Sequence, residues 1–256
     1  ALGTTIETAT RWLTVGAHVV TVAVVYARVV RSRVEPALAA LAAAFVAVGP
    51  GLSYAEAYFG TTFFAMWAAL AWAAAIELRD RYSHGWAAAC ALFALALGLT
   101  RPDGVLLAGF IFVALATQLS RRDALRVFAA FALTFGTLGV AYFAWRWWYF
   151  EHPLPNPYYK KGEFKLWFSG LAVAVSNVVR FLLPLLPLYA LALGRRASAR
   201  ELAFSLVPVV GFTAIWVLVS DEMNYMGRFQ YAVVPIAAMS APSVALALLD
   251  AGGRTS

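Results

Sequence analysis

The chain has 256 residues, of which 62% are hydrophobic, 15% aromatic and only 13% charged, and its mean hydropathy is +0.74. A soluble domain is about half apolar and about a quarter charged, so a water-soluble globule is excluded. One cysteine (Cys90), no glycine period and so little charge also exclude a disulfide scaffold, a fibrous repeat and a disordered chain. What is left is an all-α polytopic membrane protein. Its net charge of +7 is therefore read through topology before any polyanion, and no nucleic-acid partner is expected.

A helix needs about 20 apolar residues to cross ~30 Å of hydrocarbon, and the apolar runs here are long and unbroken rather than alternating. In chain order they predict spans at 12–30, 36–53, 58–77, 85–99, 104–119, 124–144, 168–193, 202–220 and 230–249, about nine transmembrane helices in all. The fourth and fifth are short, at about 16 residues each against the 20 a crossing needs. For those two, short tilted spans and a hairpin that does not fully cross both stay open.

The charges sort onto the connections. Arg28, Arg31, Arg33, Arg79, Arg81, Arg121, Arg122, Arg126, Arg195, Arg196, Arg200 and Arg254 are twelve of the 20 basic residues and fall on alternate ends of the runs. The positive-inside rule makes that side cytoplasmic. Residues 53–56, 100–104, 146–165 and 220–228 then lie on the extracytoplasmic side, in longer and chemically richer connections where function is expected. Residue 1 falls outside as well, with no span before residue 12. The expectation is one transmembrane domain, 1–256, forming the C-terminal portion of a longer enzyme that lacks its first spans.

Each outer cluster has two readings. Glu56 sits where the third span should begin, beside Tyr54, Tyr58 and Phe59. It is either an acid complementing a helix N-terminus or a carboxylate that grips sugar hydroxyls. Arg101 and Asp103 flank Pro102 in the tightest outer turn, and an arginine between two apolar runs calls for a carboxylate or a phosphate. In 145–161 an aromatic opening suits the headgroup level. Then Pro153, Pro155 and Pro157 hold the chain extended before Asn156, Tyr158, Tyr159, Lys160 and Lys161. Asn and Tyr suit a sugar and Lys a phosphate; snorkelling to headgroups is the competing account of the lysines.

Asp221, Glu222, Asn224 and Arg228 make the last outer loop, either self-neutralising or able to hold a divalent ion or a hydroxylated ligand. Arg180 lies inside the seventh run, near Pro184. It is a functional candidate by position or a side chain that snorkels to the outer surface. His18 and His84 read as structural. Apart from His18 and Arg180 the span interiors read as almost bare of polar groups. No GxGxxG, Walker loop, HExxH, GxSxG or CxxC is present, so nucleotide hydrolysis, zinc proteolysis and serine hydrolysis have no support.

Four stretches together resemble the GT-C class of membrane glycosyltransferases, within it the branch containing the mycobacterial terminal arabinofuranosyltransferase. They are Ser53-Tyr54-Ala55-Glu56 with Phe59; Leu99-Thr100-Arg101-Pro102-Asp103-Gly104; Trp148-Tyr149-Phe150 through Leu154-Pro155-Asn156-Pro157-Tyr158-Tyr159-Lys160-Lys161; and Met223-Asn224-Tyr225-Met226-Gly227-Arg228-Phe229 with Pro235. The family patterns they resemble are a Ser-x-x-Glu span opening, an LTRPEG-like turn with Asp103 for Glu, a YFG-x-LPNTYYAK-like loop with Glu151 for Gly and Pro157 for Thr, and an acid-x-Met-x-Arg-Phe-x-Pro ending. Either Asp221 or Glu222 fills the acidic position of the last.

The resemblance implies a GT-C-like fold in a bacterial cytoplasmic membrane and transfer from a polyprenyl-phosphate-sugar donor to a glycan or lipid acceptor of the cell envelope, with inversion. It implies that Arg101, Lys160, Lys161 and Arg228 stabilise the departing phosphate. Glu56, Asp103, Asn156, Tyr159 and the Asp221/Glu222 acid would hold sugar hydroxyls or orient those cations. No catalytic residue is assigned, because the family's general base lies in a first outer loop with no counterpart here and is expected upstream of residue 1. No cofactor or metal ligand set is assigned, though a divalent cation fits the chemistry. The alternative is a polytopic transporter or flippase for a lipid-linked or anionic solute, for which polar groups near mid-membrane are expected.

Overall fold

The computed structural model describes residues 5–32, 34–152, 166–195, 199–220, 222 and 224–253, and every regular element among them is helical. We number them α1 (Ile6–Arg31), α2 (Pro36–Ala47), α3 (Pro50–Glu56), α4 (Thr61–Asp80), α5 (His84–Thr100), α6 (Asp103–Ala116), α7 (Arg121–Thr134), α8 (Val140–Phe150), α9 (Phe168–Leu182), α10 (Leu186–Leu193), α11 (Ala199–Ala214) and α12 (Val233–Gly253). A single π turn, Phe135–Gly139, joins α7 to α8 into one rod, and a short 3-10 turn, Ile215–Val217, extends α11.

Five helices are long and apolar enough to cross a membrane: α1, α4, the α7–α8 rod, α11 with its 3-10 turn, and α12. The number rises to seven if two bent pairs each make one span. The nine expected spans are not reached on length. Helices α5 and α6 are apolar but have only 17 and 14 residues, about 25 and 21 Å of rise.

The expected run 36–53 breaks between α2 and α3 with a 42° bend. Pro50 there cannot continue the hydrogen-bond ladder and disfavours helix in the residue before it. The run 168–193 breaks between α9 and α10 by 103°, where Pro184 and Pro187 fall three residues apart. Glu56 is also not where the sequence put it. It is the last residue of α3 rather than the first of a span, and it is exposed, so the helix dipole does not favour it there.

Helix α4 is the centre of the bundle and packs on α1, α5, α6, α12 and α3. Its face of Ala65, Ala68, Ala69, Ala71, Ala74 and Ala75 is buried, and small side chains let helix axes approach closely. Trp72 of α4 stacks on Phe204 of α11 at 4.4 Å and donates its indole N–H to Ser240 Oγ of α12 at 2.9 Å.

The bundle has two chemically different ends. At one end, Arg28 pairs with Asp80 at 2.6 Å, Arg31 with Glu77 at 3.5 Å, and Arg79 with Asp80 and Glu201. Arg200 donates to the Gln118 side chain at 2.9 Å and to its carbonyl at 2.6 Å. Arginines that the sequence reads as topology signals therefore also tie α1, α4 and α11 together and fasten α11 to the chain after α6. The opposite end holds the aromatic and amide groups described next.

Candidate functional site

The site is built from two turns at the aromatic end. In the first, α5 ends at Thr100, Arg101 is extended, and α6 starts at Asp103. A Cβ on Gly104 would fall on the Leu97 carbonyl, so glycine is what allows this hairpin to close so tightly. The turn sets Arg101 and Asp103 in a two-pronged pair, Nε to Oδ1 at 3.0 Å and Nη2 to Oδ2 at 2.8 Å. The guanidinium carbon lies 4.7 Å from the Phe64 ring centre and 4.4 Å from that of Phe229.

The second turn reverses the chain between α11 and α12. Met226 and Gly227 both take left-handed backbone conformations, with φ of 57° and 71°. A Cβ on Gly227 would sit 2.8 Å from Asn177 Cγ of α9. The strained Met226 is held by Tyr54 of α3, whose hydroxyl donates to its carbonyl at 2.7 Å. The turn directs Arg228 against Phe59, Phe229 and Tyr225, at 4.3, 5.0 and 5.7 Å from the ring centres.

Polar groups brace the cage. Asn177 and Asn224 both donate side-chain N–H groups to Gln230 Oε1, at 3.1 and 2.9 Å, and Asn224 Oδ1 accepts the Phe229 N–H at 3.1 Å. Two donors on one oxygen fix which end of the Gln230 amide is which. Trp216 stacks on Phe229 at 5.1 Å, and Tyr231 meets Tyr54 edge-on at 5.2 Å.

Both guanidiniums lie within 5.0 Å of the Phe229 ring centre, so they are less than about 10 Å apart and repel each other. Their situations differ. Arg101 commits its charge to Asp103. Arg228 has no ion pair with a carboxylate among the described residues. Burial, then the nearby Arg101 charge, push the Arg228 pKa down from its ordinary value; guanidinium starts high enough to stay charged at neutral pH.

Arg228 Nε, Gln230 Nε2 and Trp216 Nε1 are buried donors without a partner. Buried polar groups left unsatisfied are costly and ask for an explanation. Here they are all donors, beside a cation that no described carboxylate neutralises. An anion or another acceptor-rich group is the ligand chemistry that satisfies them.

Of the residues singled out in the sequence, Arg101, Asp103 and Arg228 meet in this cage. Glu56 and Glu222 are exposed, and the Glu222 N–H is bound by Ser220 Oγ at 3.2 Å. Asn156, Tyr159, Lys160, Lys161 and Asp221 lie outside the described residues. The sequence reading passed over Asn177, Gln230, Phe64 and Trp216. Asn177 lies within the expected span 168–193 and Gln230 opens the expected span 230–249, and that polarity was the available signal. His18 and His84 take structural roles, Nε2 to the Ala47 carbonyl at 3.1 Å and Nδ1 to the Tyr82 hydroxyl at 3.2 Å. No three His, Cys, Asp or Glu side chains gather as a metal site among the described residues.

Comparison with family models, curated proteins and solved structures gives no match to this chain.

Proposed function

We propose that this protein is a glycosyltransferase of the bacterial cytoplasmic membrane that moves a sugar from a polyprenyl-phosphate donor to an extracytoplasmic glycan or lipid acceptor, with inversion. The observation that carries the reading is the caged Arg228, a half-buried cation that no described carboxylate neutralises, with its Nε buried and without an acceptor. The arginine-rich end faces the cytoplasm by the positive-inside rule, which turns the cage outward.

In the transfer step the acceptor oxygen bonds to the anomeric carbon as the bond from that carbon to the phosphate oxygen breaks. The electron pair stays on the phosphate, whose charge goes from −1 to −2, and the acceptor proton passes to a base. A cation whose charge is not already spent binds that developing charge more strongly in the transition state than in the ground state. Arg228 takes this role, and the Arg101–Asp103 pair holds the Phe229 wall against which Arg228 rests. Lys160 and Lys161 supply further positive charge on this proposal, and Asn156, Tyr159 and Glu56 address the sugar.

The test is transfer by the full-length protein, reconstituted in liposomes, from a labelled polyprenyl-phosphate-linked arabinofuranose to an oligosaccharide acceptor. Losing a charged hydrogen bond of about 1.5–3 kcal/mol lowers a rate about 10- to 150-fold, so Arg228→Gln falls by that factor and Arg228→Lys by less. Labelled lipid that crosses the bilayer without sugar transfer overturns the reading in favour of a flippase.

A further inference from the structure

We infer that α9 does not cross the membrane but lies in the plane of its surface, with one edge among phospholipid headgroups and the adjoining edge on their acyl chains. Three observations carry this. The first is the 103° turn between α9 and α10. Helix α10 packs on α11 and α12, and α9 is bent sharply away from its direction.

The second is where α9 makes its contacts. The Trp167 N–H just before it donates to the Val217 carbonyl at 2.6 Å. Gly170 approaches the backbone carbonyls of Trp216 and Val219 so closely that a Cβ would stand 2.8 Å from each. Asn177 bonds Gln230, and Phe181 meets Tyr231 edge-on at 6.0 Å. From 167 to 181 the chain rises about 21 Å, and although α9 also packs on α11 and α12, the partners it bonds, stacks on or approaches most closely all fall in the short stretch 216–231, at one end of the bundle. A crossing helix would have reached the middle of its neighbours by then. Tyr189, eight residues on and past the bend, does so, bonding Ser205 and the Ala237 carbonyl.

The third is the pattern around the helix. At 100° per residue, Gly170, Ala174, Val178 and Leu182 form the buried face. Phe168, Val175 and Val179 are exposed and share an apolar arc of about 40°. Ser169, Ser176 and Arg180 are also exposed and share a polar arc of about 40° beside it. One face on protein, one edge apolar and one edge polar with an arginine is the distribution of an interfacial helix. A crossing helix would not expose a polar strip ending in Arg180 along its full length. Arg180 is then a headgroup-level cation and not a residue buried in a span. Because Asn177 and Phe181 lie against Gly227, Gln230 and Tyr231, the neighbours of Arg228 in the turn, the cage sits at the level of α9, where a membrane-anchored phosphate resides.

Single cysteines at 168, 169, 175, 176, 179 and 180, nitroxide-labelled in the full chain in phosphatidylcholine–phosphatidylglycerol vesicles, test this by collision with oxygen and with a water-soluble nickel chelate. Cys90 is fully buried and is left in place, its lack of labelling being the control. The chelate reaches 169, 176 and 180, oxygen reaches 168, 175 and 179, and mean depth stays constant along the helix. A steady depth gradient, about 16 Å between 169 and 180, overturns the inference, as does uniform exposure to the chelate. Since six exposed positions are compared, loss of one variant leaves the pattern readable, and the result does not depend on what the cage binds.

Discussion

Two arginines share one aromatic ring, and replacing each with glutamine has different consequences. Arg101→Gln removes the partner of Asp103, a carboxylate only 16% exposed, and takes a cation from between Phe64 and Phe229. Breaking a buried pair costs 3–5 kcal/mol; with both side chains keeping some solvent, the low end, about 3 kcal/mol, is expected. Arg228→Gln removes a buried donor without an acceptor and a like charge near Arg101. Relief of roughly 1–3 kcal/mol from the unsatisfied donor offsets the lost ring contacts, each about 0.5–1 kcal/mol, so stability stays within about 1 kcal/mol of the parent. Cys90, fully buried and the sole cysteine, is a built-in reporter: a thiol-reactive fluorogenic dye lights up on unfolding. The Arg101 variant melts well below the Arg228 variant, which melts with the parent. Equal loss in both would refute the reasoning, because it would mean that Arg228 is a structural cation that needs no ligand.

Gly227→Ala forces a side chain into a left-handed position and against Asn177; the backbone term alone is about 1–2 kcal/mol, read with the same dye. Arg79→Ala, which opens the clasp to Glu201 and Asp80 at the opposite end, costs about 1.5–3 kcal/mol, the range of a charged hydrogen bond, and leaves transfer by the surviving folded fraction unchanged. Trp72→Phe loses the bond to Ser240, while Ser240 keeps the Ile236 carbonyl as an acceptor, so the expected cost is about 1 kcal/mol in the same melt.

Much of the architecture was legible because it rests on local chemistry. Composition dictates apolar helices, and the Thr100 to Gly104 turn announces its Arg101–Asp103 pair through Pro102 and Gly104. The alternation of arginine clusters separates the two ends. Other features depend on partners distant in sequence and leave no local mark. Phe229 is one aromatic among many until Trp216, Arg101 and Arg228 meet around it. Tyr54 looks like a headgroup-belt residue, whereas its hydroxyl holds Met226, 172 residues away. The bend after α9 was misread as a continuous span because hydropathy ignores what Pro184 and Pro187 do to the helix ladder. Asn177 and Gln230 were hidden by averaging over apolar neighbours.

The central claim is that the caged Arg228 receives a lipid-borne phosphate. Native mass spectrometry of the full chain in detergent micelles, titrated with a short polyprenyl phosphate, tests it directly. The parent chain takes one molecule, Arg228→Gln binds at least about tenfold more weakly, as the loss of one charged hydrogen bond requires, and uncharged polyprenol does not compete. Equal binding by parent and variant, or equal binding of polyprenol and its phosphate, would contradict the account.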